Sequence, residues 1–143
     1  MLVLIIDDDP SMRTLFLMQL RTLNVDAKAA AHGAEGLEIA LTQRPALIIC
    51  DFNMPQLTGY DIWKTLRANE HTRSTPFILA SSSISHLGIA MQYHSMIEEI
   101  RRDEAALVFA KDAVNRDRLR SILTTIQTSL PLRHHKALTA MAV

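Results

Sequence analysis

The sequence has few of the features that mark secreted, membrane-bound or nucleic-acid-binding proteins. Cys50 is the single cysteine among 143 residues, so no internal disulfide can form. Its place in an apolar run suggests a small core side chain in a reducing compartment. The 15 basic and 15 acidic side chains cancel, so charge gives no reason to expect binding to nucleic acid or to a membrane. We therefore expect a cytoplasmic protein.

Long hydrophobic runs are also missing. The first apolar run covers residues 2–6 and is followed at once by acids, which is too short for a signal peptide or a membrane span. Hydrophobic residues nevertheless make up 48% of the chain, which excludes a disordered protein. A chain of this length can bury one sizeable core, and we expect a single domain.

Short apolar runs alternate with helical patterns along the chain. The predicted strands lie at residues 2–6, 25–30, 46–51, 76–80 and 106–110. The predicted helices lie at residues 10–23, 34–42, 60–69 and 84–105, with a last one that ends before Pro131. The helix at 84–105 should be bent or split, because Gly88 separates two apolar registers. Such alternation predicts an α/β fold with a parallel sheet and helices on both faces.

Polar side chains stand at the carboxyl ends of the predicted strands, where open α/β sheets bind their ligands. They are Asp7 to Asp9 after the first strand, Asp51 at the end of the third, Ser81 after the fourth and Lys111 after the fifth. Carboxylates held close together repel unless a cation intervenes, and an all-oxygen cluster suits Mg²⁺. We predict a Mg²⁺-dependent site at which Asp51 accepts a phosphoryl group, whereas Asp9 is assigned only as a helix N-cap.

These residues, in this order, resemble the receiver domain of bacterial two-component response regulators. The shared pattern includes an acid pair, then Asp-x-x-Met-Pro-x-x-x-Gly from Asp51 to Gly59, then Ser81 and Lys111. The likeness covers residues 2 to about 130, so we expect a receiver domain at 1–130 and a tail or linker at 131–143. It implies a flavodoxin-like, doubly wound, five-stranded parallel sheet of order 2-1-3-4-5 with five helices.

The resemblance also implies a role for each site residue. Asp51 is the implied phosphoacceptor, Ser81 the switch hydroxyl and Lys111 the amine that contacts the phosphoryl oxygens. The implied Mg²⁺ ligands are Asp8, Asp7 (largely through water), Asp51 and the backbone carbonyl of Asn53. By the same resemblance the protein is a phosphoacceptor and not an enzyme, beyond slow loss of its own phosphate.

The partners that the resemblance implies are proteins. A sensor histidine kinase or a histidine phosphotransfer protein would supply the phosphate. The signal would leave through the fourth helix, the fifth strand and the fifth helix, towards an unnamed target protein. A homodimer is allowed. No nucleic acid is expected, because the tail at 131–143 is too short for a DNA-binding domain.

Three features depart from the family's pattern. Asp112 follows Lys111 where a proline is usual. Val108 stands where many members carry an aromatic that rotates on activation, and the segment at 83–106 is longer than usual. They support an alternative interpretation, a receiver-like interaction module that no longer cycles phosphate and binds a fixed partner. A third hypothesis, a Mg²⁺-dependent phosphate hydrolase with Asp51 as nucleophile, lacks the cap and the second acid it would need.

Overall fold

A computed structural model describes residues 1–85, 88–89, 91–128 and 132. Its main sheet consists of β1 (Leu2–Ile6), β2 (Asp26–Ala30), β3 (Leu47–Asp51), β4 (Phe77–Ser81) and β5 (Ala106–Ala110). All neighbouring strands are parallel, and their order in the sheet is β2-β1-β3-β4-β5. The predicted strand order is therefore confirmed.

The described part of the chain forms five α-helices, which cover both faces of the sheet. They are α1 (Pro10–Thr22), α2 (Gly33–Gln43), α3 (Gly59–Ala68), α4 (His94–Arg101) and α5 (Arg116–Gln127). Helices α1 and α5 bury Phe16, Leu20 and Leu119 against one face of the sheet. Helices α2, α3 and α4 bury apolar side chains such as Ile62 and Ile97 against the other face. The fold is the predicted doubly wound α/β architecture.

The burial of each strand follows from its place in the sheet. All five residues of β3 and of β4 are buried, since helices cover both faces of these central strands. The edge strand β2 instead alternates, and its Asp26 and Lys28 are exposed. The carboxyl ends of these central strands therefore lie side by side at one edge of the sheet.

Side chains at the helix ends fix where α1 and α3 begin. Asp9 caps α1, because its carboxylate accepts a hydrogen bond from the Ser11 amide at 2.9 Å, and Pro10 occupies the first turn. Thr58 and Asp61 form a capping box at the start of α3. These caps set the length of the loops that follow β1 and β3.

The prediction of a helix across residues 84–105 is wrong in its first half. Ile84–Ser85 pairs antiparallel with Gly88–Ile89, a turn of 3-10 helix covers Met91–Tyr93, and α4 begins only at His94. Serines, Ile84 and Gly88 all form helices poorly, and Ile84 instead buries its side chain in the core from an extended backbone. Met91, expected on a buried helix face, is 95% exposed. Leu87, part of the same prediction, lies outside the described residues.

The end of the chain is described only in part. Helix α5 ends at Gln127, whereas the prediction extended it to the residue before Pro131, and residues 129–131 lie outside the described ranges. Of the predicted tail, Leu132 alone is described, and its side chain is buried beside α5. In the described ranges every helix is too short or too polar to cross a bilayer.

Candidate functional site

The carboxyl ends of β1 and β3 bring three acidic side chains together. One carboxylate oxygen each of Asp7, Asp8 and Asp51 lies within 4.8 Å of the other two. Asp7 is 1% exposed and Asp51 is 4% exposed, whereas Asp8 is open to solvent. The acids predicted at these strand ends therefore form one cluster with a solvent-facing side.

Strand register and local hydrogen bonds hold Asp7 in place. Ile6 pairs with Cys50 in the parallel ladder, so the next residues, Asp7 and Asp51, follow on adjacent strands. The Asp7 carboxylate accepts a hydrogen bond from the Asp9 amide at 2.9 Å. Its backbone carbonyl accepts one from the Arg13 guanidinium, also at 2.9 Å. Asp7 is consequently a fixed acid, and Arg13 is a positioning residue whose bond to the Asp7 carbonyl no spacing along the chain predicts.

Lys111 extends from the end of β5 into the acidic cluster. Its Nζ lies 3.0 Å from Asp7 Oδ2 and 3.4 Å from Asp51 Oδ2. Burial by itself lowers the pKa of the Lys111 ammonium, but the hydrogen bond that it donates to Asp7 and the charge of Asp51 outweigh this effect and leave the pKa raised. Asp112 is exposed in the turn after Lys111 and does not draw the lysine away from the acids.

Asp51 lies in surroundings that disfavour its charge. Burial, followed by repulsion from Asp7, raises the pKa of its carboxyl to about 6, although Lys111 acts in the opposite direction. Burial and the same two acids raise the pKa of the neighbouring Cys50 thiol. Asp51 is therefore an acid whose ionised form lacks sufficient compensation within the protein.

The cluster has the donor set that a hard divalent cation prefers. Asp51 Oδ1 is buried and has no hydrogen-bond partner among the residues that the structure describes. Such an oxygen costs free energy unless something binds it. Two further carboxylates lie within reach, and the exposed side at Asp8 leaves room for water ligands, as Mg²⁺ requires. The residues present therefore fit a Mg²⁺ ion.

The turn after Asp51 requires a glycine at its end. A Cβ atom added at Gly59 would lie 2.4 Å from the Asp51 carbonyl oxygen and 2.7 Å from Leu79 Cδ1. The Gly59 amide also donates a hydrogen bond to the Phe52 carbonyl at 2.9 Å. Met54 is buried in the core below the same turn. Gly59 thus lets the turn approach the backbone of Asp51 closely, and Met54 anchors the turn in the core.

Ser81 and Asn53 have their described hydrogen bonds to Ser83 and not to the acids. Ser81 is buried at the end of β4, and its hydroxyl oxygen accepts a hydrogen bond from the Ser83 amide at 3.0 Å. The exposed Asn53 amide donates to the Ser83 hydroxyl at 2.6 Å. Since Asp51 pairs with Ala80 in the ladder, Ser81 is one residue beyond Asp51 on the neighbouring strand. The bond from Asn53 to Ser83 thus joins the loops that follow β3 and β4, and the bond from Ser83 to Ser81 lies within the second of these loops.

A ring contact beside the site could not be found from the sequence. Phe52, directly after Asp51, is fully buried, and its ring meets the Tyr93 ring at a centroid distance of 4.8 Å and an angle of 60°. The sequence does show an apolar residue, Phe52, directly after the acid. Nothing in the spacing indicates that residue 93 lies beside it, because the segment at 84–105 was predicted as a helix.

Comparison with known proteins assigns the family. The model of the response regulator receiver domain matches residues 3–124, which is most of the chain. The chain belongs to this family. It is thus a two-component receiver domain, a signalling domain rather than a classical enzyme, with a cluster of acids at the expected edge of its sheet.

Relatives of known sequence or structure agree with the receiver fold. The chemotaxis protein CheY4 of Vibrio cholerae is 25% identical, with 87% of this chain and 97% of that one covered, at a TM-score of 0.70. The receiver domain of sensor histidine kinase PA1611 from Pseudomonas aeruginosa, solved with magnesium in its active-site cleft, is 24% identical at a TM-score of 0.70, covering 85% of this chain and 93% of that one.

Some relatives are longer proteins, and the match with this chain covers only part of their length. The DNA-binding dual master transcriptional regulator RpaA of Synechocystis is 31% identical over 80 residues. The match covers 56% of this receiver domain's chain and 33% of the regulator. The chain thus spans about a third of the length of that relative.

Proposed function

We propose that this receiver domain accepts a phosphoryl group on Asp51 in a Mg²⁺-dependent reaction and signals through protein contacts. The observation that carries the proposal is the state of Asp51. It is a buried carboxylate beside Asp7 and Lys111, and one of its oxygens has no partner in the part of the chain that the structure describes. A carboxylate in that position is a nucleophile for phosphorus whose charge a bound cation and the lysine can balance.

The transfer needs positioning and charge balance more than covalent help from the protein. An Asp51 oxygen attacks the phosphorus atom, the bond from phosphorus to the donor's histidine nitrogen breaks, and an acyl phosphate forms. Lys111 donates hydrogen bonds to the phosphoryl oxygens, and the Ser81 hydroxyl bonds the same group. When bound, Mg²⁺ supplies positive charge against the carboxylates and the phosphoryl oxygens.

Three acids and one carbonyl form the proposed Mg²⁺ site. Asp8 and Asp51 ligate the ion directly, Asp7 acts largely through water, and Asn53 offers its backbone carbonyl. The cluster within 4.8 Å supports this set, and the magnesium ion in the cleft of the PA1611 receiver domain supports the choice of metal.

The proposed partners follow from the family. A sensor histidine kinase or a histidine phosphotransfer protein donates the phosphate in the cytoplasm, and the acyl phosphate then hydrolyses slowly. The receiver domain occupies residues 1–130. Its surface formed by α4, β5 and α5 contacts a target protein or a second copy of the domain. The balanced charge supports a domain that does not itself bind nucleic acid.

Intact mass after incubation with acetyl phosphate tests the proposal. With Mg²⁺ present, we expect the wild-type protein to gain one phosphate, which is not gained when EDTA is added or when Asp51→Asn is made. Asp26→Asn, which changes an exposed acid on the edge strand, is the matched control and should react like the wild type. A calorimetric titration of the same protein with Mg²⁺ checks that the metal binds. A wild-type mass that stays unmodified although Mg²⁺ binds would overturn phosphoryl acceptance.

The alternative is an interaction module that no longer cycles phosphate. Val108 and Asp112 favour it, because both depart from the family's usual residues at positions linked to switching. Identical partner binding by wild type and Asp51→Asn, with and without acetyl phosphate, would establish this version.

A further inference from the structure

Phe52 links the phosphoacceptor to the segment that leads into α4. It follows Asp51 directly, and its backbone is held by the hydrogen bond from Gly59. Its buried ring meets Tyr93, the last residue of the turn Met91–Tyr93. A second link runs in parallel, since Asn53 donates to Ser83 in the loop before the short antiparallel strand pair. Two neighbours of Asp51 are therefore tied to Ser83 and to Tyr93, which lie before and after the short strand pair.

The two ends of α4 are held very differently. Beyond its C-terminal end, Asp103 accepts hydrogen bonds from Trp63 at 2.7 Å and from Arg67 at 2.6 Å, both on α3. At its N-terminal end, Tyr93 occupies the capping position, and no described side chain caps the helix. The ring contact between Tyr93 and Phe52 lies at that uncapped end. A shift of the Phe52 ring would move the start of α4 while its end stays fixed.

Val108 makes β5 an unsuitable route for transmitting a change from Asp51 to the surface. It is a short side chain opposite Leu79 in the ladder and carries no ring that could rotate. The one aromatic of β5, Phe109, packs into the core on the face of α1 and α5, where the Arg118 guanidinium lies 4.7 Å from its ring centre. The ring of Tyr93, by contrast, lies on the same side of the sheet as Phe52.

We propose that the Phe52–Tyr93 ring contact transmits a change of charge at Asp51 to the turn Met91–Tyr93 and the start of α4. Tyr93 acts as the positioning residue for the surface formed by the turn Met91–Tyr93 and the start of α4. The exposed Met91 and the half-exposed Met96 are the side chains whose placement then depends on the site. The proposal rests on the proposed function, because phosphorylation of Asp51 is the change that it transmits.

Fluorine NMR with 3-fluorotyrosine can test the transmission, because the chain has only two tyrosines, Tyr60 and Tyr93. Tyr60→Phe and Tyr93→Phe assign the two signals. We expect the Tyr93 signal to shift on treatment with acetyl phosphate and Mg²⁺, and to shift between wild type and Asp51→Asn without metal. The hydroxyl of Tyr60 donates a hydrogen bond to Glu99 in the C-terminal half of α4, so the Tyr60 signal should move several-fold less in both comparisons.

A variant without the Phe52 ring tests whether the ring is required for the two Tyr93 shifts. In Phe52→Leu the two shifts of Tyr93 should disappear, and Phe52→Met serves in its place if the leucine variant does not fold, since methionine keeps most of the volume without the ring. Tyr93 shifts that persist in the variant, or a Tyr93 signal that stays unmoved in wild type, overturn the transmission.

Intact mass of the same samples separates the two proposals. A phosphorylated protein with an unmoved Tyr93 signal overturns the transmission alone. If no phosphate is gained, the proposed function fails. In that case the difference in the Tyr93 signal between wild type and Asp51→Asn, and its loss in the Phe52 variant, still test whether the ring contact transmits the change.

Discussion

The Lys111 ammonium lies 3.4 Å from Asp51 Oδ2, although β4 separates their two strands in the sheet. It reaches Asp7 as well, at 3.0 Å, so one lysine faces two buried acids. One positive charge cannot balance both carboxylates and Asp8 besides. This excess of negative charge is the physical reason for a cation site. Lys111 and the metal ion therefore have different roles, which can be tested separately.

Replacing Lys111 with methionine should impair transfer more than metal binding. Loss of its hydrogen bonds to the phosphoryl oxygens should slow phosphorylation by acetyl phosphate roughly 100-fold, as for other charge-stabilising donors. Mg²⁺ should bind at least as tightly, because a competing cation is gone. Rates from intact mass and a Mg²⁺ titration by calorimetry measure the two effects. Lys28→Met, on the exposed edge strand, should change neither, and a Lys111→Met protein that reacts at the wild-type rate would contradict this role.

The raised pKa of Asp51 predicts a pH-dependent stability for the metal-free protein. The folded chain holds the Asp51 proton up to a pKa of about 6, whereas the unfolded chain releases it near the ordinary aspartate pKa of 3.8. The folded state is therefore favoured at low pH, and this contribution is lost as the pH rises from about 4 to about 6. Asp51→Asn carries no such charge and should escape the loss.

Thermal or urea unfolding in EDTA should show the difference between the two proteins. At pH 8 we expect Asp51→Asn to be more stable than wild type, by roughly 2–3 kcal/mol. At pH 4 the two should be equally stable. Mg²⁺ at pH 8 should stabilise wild type and leave Asp51→Asn nearly unchanged. A wild type that is more stable than Asp51→Asn at pH 8 in EDTA would contradict the raised pKa.

Gly59 should tolerate no side chain, because its Cα approaches the backbone of Asp51 too closely. Gly59→Ala should lower the free energy of unfolding by about 1–3 kcal/mol, the usual cost of overpacking a buried position. It should also slow phosphorylation, since the Asp51 carbonyl must shift away from the new methyl group. Thr65→Ala, at an exposed position of the same helix, is the control. Urea unfolding of a Gly59→Ala protein as stable as wild type would show that the turn can relax.

Much of the site follows from the sequence because parallel strands end at one edge. The apolar runs before Asp7, Asp51, Ser81 and Lys111 predict buried strands, and alternation with helices makes those strands parallel. Strand ends far apart in the chain then meet. The strand order and the cluster of acids beside Lys111 need no information beyond this pattern and the family resemblance.

What the sequence did not indicate depends on tertiary contacts. The apolar spacing of residues 84–105 fits a helix, but Ile84 reaches the core from an extended backbone, so packing overrides the pattern. The contact between Phe52 and Tyr93 depends on that outcome and was therefore invisible. The bond from Arg13 to the Asp7 carbonyl likewise joins a helix side chain to a strand end, which no spacing rule predicts.

The most direct test of the central claim is to locate the acyl phosphate on the chain. Borohydride reduces an aspartyl phosphate to homoserine, which peptide mass spectrometry identifies at its position. After acetyl phosphate and Mg²⁺, we predict homoserine at position 51 in wild type, at no other acid, and nowhere in Asp51→Asn. Reduction at Asp7 or Asp8 with Asp51 intact, or no reduction at any acid, would contradict Asp51 as the phosphoacceptor.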